Sequence, residues 1–410
     1  MTPNNLHYMI EIRHLAKLLV AAFFIVFCSK GLSEQLDKVL FQQNVPRVPT
    51  HIMAEVDLAG RSFLMMLDTG AGLTVFDSSL KNFTGPELEE RNLQMPGATD
   101  RVVKCYQGPP LKIGALSDDH PKVIVSDLKI VSRLTGRSCV GLLGINVMKR
   151  GKILLSYDDR IFKIHVGPWI LDRGNFREVE LDKESDIPQF NEIVLGHSIN
   201  FTVDTGSNDC ITLISPIFDA LVDAGGIELS KLTARPASIG GMRPAKQGWF
   251  LKGELMGKSL AGVAVTSVPG HSMVGLQFLY AFNIEIDYSN RKLRYQLRAD
   301  VKRPCCMQHM LGAILFFGED GPFVEKLRPG GGAVENAGIR PGDVIVEFGA
   351  LKGKEMNETT ITETVSDEAG KEIHIRYLRK ADGKQVAVQL KLPPVISLWD
   401  FGGRDGFDRK

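Results

Sequence analysis

Two short stretches of this chain place an aspartate where a carboxylate can do chemistry: Asp68-Thr69-Gly70-Ala71-Gly72 and Asp204-Thr205-Gly206-Ser207. Each ends an apolar run, Phe63-Leu-Met-Met-Leu67 in one case and Ile199-Asn-Phe-Thr-Val203 in the other. The Gly permits close backbone approach, and the Thr can hydrogen-bond across an interface. An Asp beside a Gly ordinarily closes a hairpin through an Asx-turn. Two copies in matching surroundings open another reading. Repeats packed about a pseudo-twofold axis bring equivalent residues together at that axis. Two carboxylates in contact there cannot both ionise, so the pair holds one proton. Its ionised oxygen can take a proton from a water while its protonated oxygen donates to a carbonyl. That is peptide hydrolysis by general acid–base catalysis without a covalent intermediate.

Other reactive side chains give weaker signals. Cys210 follows the second motif, but a thiol nucleophile needs a His partner and none is near it in sequence, so it reads as a core thiol. His120, His165, His197 and His271 lack metal-ligand spacing and read as surface or turn residues. There is no CxxC, and neither a metal nor an organic cofactor is expected. Cys105 and Cys139 fall in one block and either pair or remain thiols, while Cys305-Cys306 lie in a linker. The sequon Asn200-Phe201-Thr202 sits inside the strand leading to Asp204, which disfavours glycosylation.

The elements that must carry the two motifs are themselves repeated. Leu143-Gly144-Ile145 matches Val274-Gly275-Leu276, and Ile153-Leu-Leu-Ser-Tyr157 matches Ile284-Glu-Ile-Asp-Tyr288 at an offset of 131 residues. Two units of about 115 residues follow, 48–165 and 176–297, both rich in strand and turn signals. After Pro304 the pattern changes to a smaller unit, 305–393. It has a β run at Leu311–Phe317, a Gly330-Gly331-Gly332 turn and a short helical stretch, Ala333–Ala337, stopped by Gly338. Strands follow at Val344–Phe348, Ile373–Leu378 and Val386–Leu392. Residues 394–410 read as a tail. At the other end, Arg13, His14 and Lys17 precede the apolar run Leu18–Cys28, then Gly31 and Ser33. Residues 1–33 therefore read as a secretory signal, with a retained membrane anchor as the competing reading.

Composition fits this organisation. The chain has 410 residues, 44% hydrophobic and 24% charged, which is globular rather than disordered. Lys+Arg 49 against Asp+Glu 48 leaves a formal charge of +1, so no global field recruits nucleic acid or acidic membranes. Gly at 41 of 410 exceeds the usual ~7% and favours turn-rich β structure.

Residues 48–297 resemble the pepsin-like and retropepsin-like aspartic proteases. The resemblance rests on Asp68-Thr69-Gly70-Ala71-Gly72, Leu142-Leu143-Gly144, Asp204-Thr205-Gly206-Ser207 and Met273-Val274-Gly275. It implies a mainly β fold, a two-lobed acid-protease β-barrel pseudo-dimer, in which each apolar-apolar-Gly strand threads a loop carrying the Asp. By this resemblance Asp68 and Asp204 are the catalytic dyad. Thr69 and Thr205 cross-brace the two loops, Gly70 and Gly206 donate backbone N–H groups to the carboxylates, and Ser207 supports the second. Flap candidates are Gly240 and Gly241 in the second unit and Tyr106 in the first. The units are closer in length to a retroviral protease subunit than to a pepsin lobe. Ala71 stands where pepsin has a hydroxyl residue, which implies a dyad that titrates higher.

The unit 305–393 resembles a small α+β PDZ domain through Ala337-Gly-Ile-Arg-Pro-Gly-Asp-Val-Ile345. Leu311, Gly312, Ala313 and Ile314 would then form the carboxylate-binding loop and strand that take a peptide C-terminus. A PDZ fold used only for docking is the other outcome. The whole reading is an exported aspartic endopeptidase, periplasmic or secreted, acting on polypeptide substrates, with a PDZ domain that binds C-termini or regulates access. The alternative is a non-catalytic peptide-binding module on the same lobes. Retention of both Asp residues argues against it, since binding alone has no chemical need for either.

Overall fold

The computed structural model describes residues 38–93, 101–172, 174–234, 237–238, 241–242, 244–299, 301, 307–328 and 332–394. The expected signal at 1–33, the cysteines Cys305 and Cys306 and all of the tail beyond Pro394 lie outside these residues. Strand accounts for 46% and helix for 16%, so the protein is mainly β.

Alternation sets the strands. In Met53–Leu58, Ala54, Val56 and Leu58 are buried while Glu55 and Asp57 face solvent. That period of two makes a half-buried strand. Phe282–Asp287, by contrast, is buried at every position, because it lies in the middle of the sheet that joins the two repeats. This six-stranded sheet runs Lys38–Asn44, Ile161–Val166, Lys152–Ser156, Phe282–Asp287, Lys292–Leu297, Arg177–Glu180. At its centre Ile153 pairs with Ile286, Leu154 with Glu285 and Leu155 with Ile284, antiparallel. Under the 131-residue offset Leu154 pairs with its own equivalent, Glu285, while Ile153 and Leu155 each pair with the other's equivalent. A pseudo-twofold axis therefore passes between Leu154 and Glu285.

Each repeat adds its own sheet. The first has nine strands, ending in Glu87–Leu93 at one edge and Leu116–Asp118 at the other. The second has seven, ending in Gln189–Val194 and Ile227–Ala234. The expected barrels do not close: among the described residues these edge strands do not pair with each other, and the sheets remain open. One hydrophobic core runs from Val45 to Tyr295 through both repeats.

A separate core spans Met307 to Leu392. It lies between a sheet, Ala313–Gly318, Gly321–Leu327, Val344–Phe348, Glu372–Leu378 and Gln385–Lys391, and the helices Met307–Leu311, Ala333–Asn336 and Glu358–Asp367. The last helix has no counterpart in the sequence reading. Its signals are nonetheless present: Asn357 caps it by accepting from the N–H groups of Thr359 and Thr360, and Ile361 and Val365 put one apolar face inward.

Candidate functional site

The two Asp-Thr-Gly turns meet where the repeats adjoin. The Asp68 N–H donates to Leu143 O and the Asp204 N–H to Val274 O, both at 3.1 Å. The strands Gly141–Leu143 and Ser272–Val274 run parallel to the strand entering each turn and antiparallel to the strand leaving it. Each thus sits between the two arms of its turn. Gly144 and Gly275 follow, and both must be Gly. A Cβ on Gly144 would stand 2.6 Å from the Leu73 carbonyl carbon, and one on Gly275 would stand 2.4 Å from Asp209 O.

The threonines lock the turns together. Thr69 Oγ1 donates to Val203 O at 2.6 Å and accepts from the Thr205 N–H at 3.0 Å. Thr205 Oγ1 donates to Leu67 O at 2.7 Å and accepts from the Thr69 N–H at 3.1 Å. Both are buried. These four bonds satisfy backbone groups that would otherwise be unpaired in the interface.

Above this brace the carboxyls face each other. Asp68 accepts from the Ala71 N–H at 3.0 Å and Asp204 from the Gly206 N–H at 2.8 Å. Each carboxyl also lies over the glycine of the opposite turn: a Cβ on Gly70 would be 2.5 Å from Asp204 Cγ, and one on Gly206 would be 2.3 Å from Asp68 Cγ. The carboxyls lie within hydrogen-bonding reach of one another. Burial raises the pKa of both, and Asp204 rises well above the ordinary carboxylate range because the Asp68 charge adds to burial. The pair therefore retains a proton where free carboxylates have lost theirs. Ser207, expected to support a carboxylate, instead accepts the Asp209 N–H on its hydroxyl at 3.3 Å.

Three groups near the dyad were not found from sequence. His51 lies within electrostatic reach of both carboxyls. Its Nδ1 is 2.8 Å from Glu358 Oε2, a contact spanning 307 residues. Asp209 is pushed up to about 6 by burial and by the Asp204 charge. No local pattern marks His51 or Glu358, because each acquires its setting only when the third region docks.

The remaining candidates are dispersed. Tyr106 lies near the base of the hairpin Glu87–Leu93/Arg101–Gln107, opposite Glu87, with the Lys81 ammonium over its ring. Gly241 belongs to a two-residue strand paired with Ala237–Ser238 beyond the hairpin Ile227–Ala234/Ala245–Phe250. Gly240 lies outside the described residues. Leu311 closes a helix and is buried, Gly312 has φ +66°, and Ala313 and Ile314 open an edge strand. Against that edge packs a helix of the first repeat, Lys129–Thr135. Its Arg133 guanidinium lies 4.5 Å from the Phe316 ring centroid.

One expectation needs correcting. His165 is not a surface residue: it is fully buried, with Nε2 3.0 Å from Glu285 Oε1 across the repeat interface. Of the two outcomes open for Cys105 and Cys139, the structure has thiols: they share a small core cluster, and the Cys139 Sγ donates to Gly141 O. Cys210 is buried, as a core thiol should be.

Comparisons with protein-family models and with curated proteins find no match for this chain.

Proposed function

We propose that the protein is an aspartic endopeptidase with two Asp-Thr-Gly lobes in one chain, followed by a PDZ-like domain. The observation that carries this reading is the pair of facing carboxyls, half-buried Asp68 and buried Asp204, each lying over the glycine of the opposite turn above a reciprocal threonine brace. A hairpin-closing Asx-turn needs neither the opposing carboxyl nor the brace. Sharing one proton, the pair can deprotonate a water held between them and protonate the scissile carbonyl. Among the described residues neither carboxyl takes a side-chain hydroxyl donor from either motif, so the window for the singly protonated pair lies toward weakly acidic or neutral pH. That suits action outside the cytoplasm, the location the N-terminal segment suggests. The two edge hairpins, Glu87–Leu93/Arg101–Gln107 and Ile227–Ala234/Ala245–Phe250, are the elements to cover an extended substrate.

The chain should cut members of an unbiased peptide library, pepstatin should block the cutting, and Asp68→Asn should abolish it. Hydrolysis unaffected by either would refute the assignment. For the third domain, one observation favours docking over free capture of C-termini: the helix Lys129–Thr135 already lies along the edge strand Ala313–Gly318 that would receive a peptide. A peptide with an apolar last residue and free carboxylate should therefore bind the full chain weakly, with no loss on amidation.

A further inference from the structure

The third region reaches the dyad through one buried carboxylate. Glu358, the first residue of the helix Glu358–Asp367, places Oε2 2.8 Å from His51 Nδ1 and accepts on Oε1 from Asn208 Nδ2 at 2.7 Å. Its side chain is 9% exposed and that of His51 12%. His51 directly precedes the buried Ile52, whose carbonyl accepts the Leu67 N–H beside Asp68. Asn208 lies in the turn that follows Asp204. One carboxylate thus ties together a segment of the first repeat and the catalytic turn of the second.

Pseudo-symmetry shows that this clamp is not a property of the repeat. Thr69 and Thr205 are 136 residues apart. At that offset His51 corresponds to Ile187 and Asn208 to Gly72. On that side a Cβ on Gly72 would sit 3.6 Å from the Ile187 Cγ2. The contact there is with an apolar side chain in place of His51. The charged version exists only where the third region docks. Flanking contacts hold that helix in place: Thr50 Oγ1 to Thr359 Oγ1 at 3.0 Å, and the Arg47 guanidinium to Asp367 at 2.8 Å.

We propose that Glu358 is a positioning residue of the Asp68–Asp204 site, contributed by the third domain: it clamps the His51 ring beside the dyad and fixes the turn that carries Asp204. This rests on the reading of the two carboxyls as a proton-sharing dyad. The groups that face His51 are Glu358 from the third domain, Asp68 and Asp204 from the two turns, and Asp209 from the segment after Asp204. Burial alone would strip the ring of its proton. The carboxylates oppose burial and prevail, Glu358 foremost, so His51 holds its proton above its ordinary range. The resulting cation favours ionised Asp68 and Asp204 and offsets part of the rise that burial imposes. The two lobes are therefore not the whole catalytic unit.

The test is a pair of NMR titrations on the full chain, one of the His51 imidazole and one of the Asp68 and Asp204 carboxyl carbons. Glu358→Gln keeps the shape and removes the charge. It should lower the His51 pKa by a unit or more and raise the apparent pKa values of the dyad by up to about one unit. His51→Gln should raise the dyad by the same amount, and the double variant should add nothing further. An unchanged His51 titration in Glu358→Gln would overturn the proposal. So would a shifted His51 with an unmoved dyad, since Glu358 would then be a docking contact alone. Both titrations read without turnover. Absence of peptide hydrolysis would count against the proposed activity, while the two titrations would still decide the role of Glu358.

Discussion

The Thr69 and Thr205 hydroxyls each carry two hydrogen bonds across the interface. Thr69→Val keeps the shape but leaves the Thr205 N–H and the Val203 carbonyl unpaired in a buried interface. A cost of ~2–4 kcal/mol is expected from two such losses, read as a lower midpoint in urea unfolding. Thr69→Ser keeps the hydroxyl and should cost under about half as much; equal losses would show that the methyl, not the brace, matters. Asp209 makes a second residue-scale prediction. Its folded pKa is raised from 3.8 to about 6. A raised acid favours folding below its unfolded pKa and loses that contribution as pH climbs through about 6. Asp209→Asn should therefore raise Tm at pH 8 and change it little at pH 4, as followed by thermal melts. The two aspartates and their threonines were legible because the same Asp-Thr-Gly motif occurs in both repeats, and a pseudo-twofold axis brings equivalent residues together. His51 and Glu358 were not, since the chemistry of each is set by a partner 307 residues away.

At the scale of elements, the threading strands are the least tolerant part of the molecule. Gly275→Ala would drive a methyl to 2.4 Å from one carbonyl oxygen, Asp209 O, and 2.8 Å from another, Ser207 O. Neither is a flexible side chain that can step aside. The turn holding Asp204 must open, so the variant should be recovered mostly unfolded or insoluble. Gly72→Ala, with only ordinary 3.6 Å contacts, should stay soluble with a near-native circular dichroism spectrum. A well-folded Gly275→Ala would show that the strand does not pass through the turn as described. The apolar-apolar-Gly pattern announced these strands, and the repeat announced that there would be two. The helix Glu358–Asp367 was missed because its Thr, Val, Ser and Asp residues are poor helix formers outside their context, and the Asn357 cap and tertiary packing decide it. His165 was misplaced for a related reason: a lone His in a strand looks solvated until Glu285 is set beside it.

For the whole molecule, the fold is two repeats closed about one axis and a third domain seated on both. The pairing of Leu154 with Glu285 fixes that axis, and the offset in the sequence had already implied it. What composition could not convey is that the third domain packs its strand Ala313–Gly318 against the first repeat and sets Glu358 against His51 and Asn208. Arg47 probes that seating from its exposed rim: exposed ion pairs contribute ~0–1 kcal/mol, so Arg47→Ala should leave stability and activity nearly unchanged. A large loss in either assay would place the docking energy at the rim instead of at the buried Glu358. The central claim is that Asp68 and Asp204 work as one group. It is tested most directly by the pH profile of kcat/KM on a single peptide for the wild type, Asp68→Asn, Asp204→Asn and the double variant. A proton-sharing dyad gives a bell for the wild type and a loss of ~10²–10⁴-fold or more in each single variant. The double variant should then be no worse than the poorer single. Near-normal turnover in either single variant, or losses that multiply in the double, would contradict it.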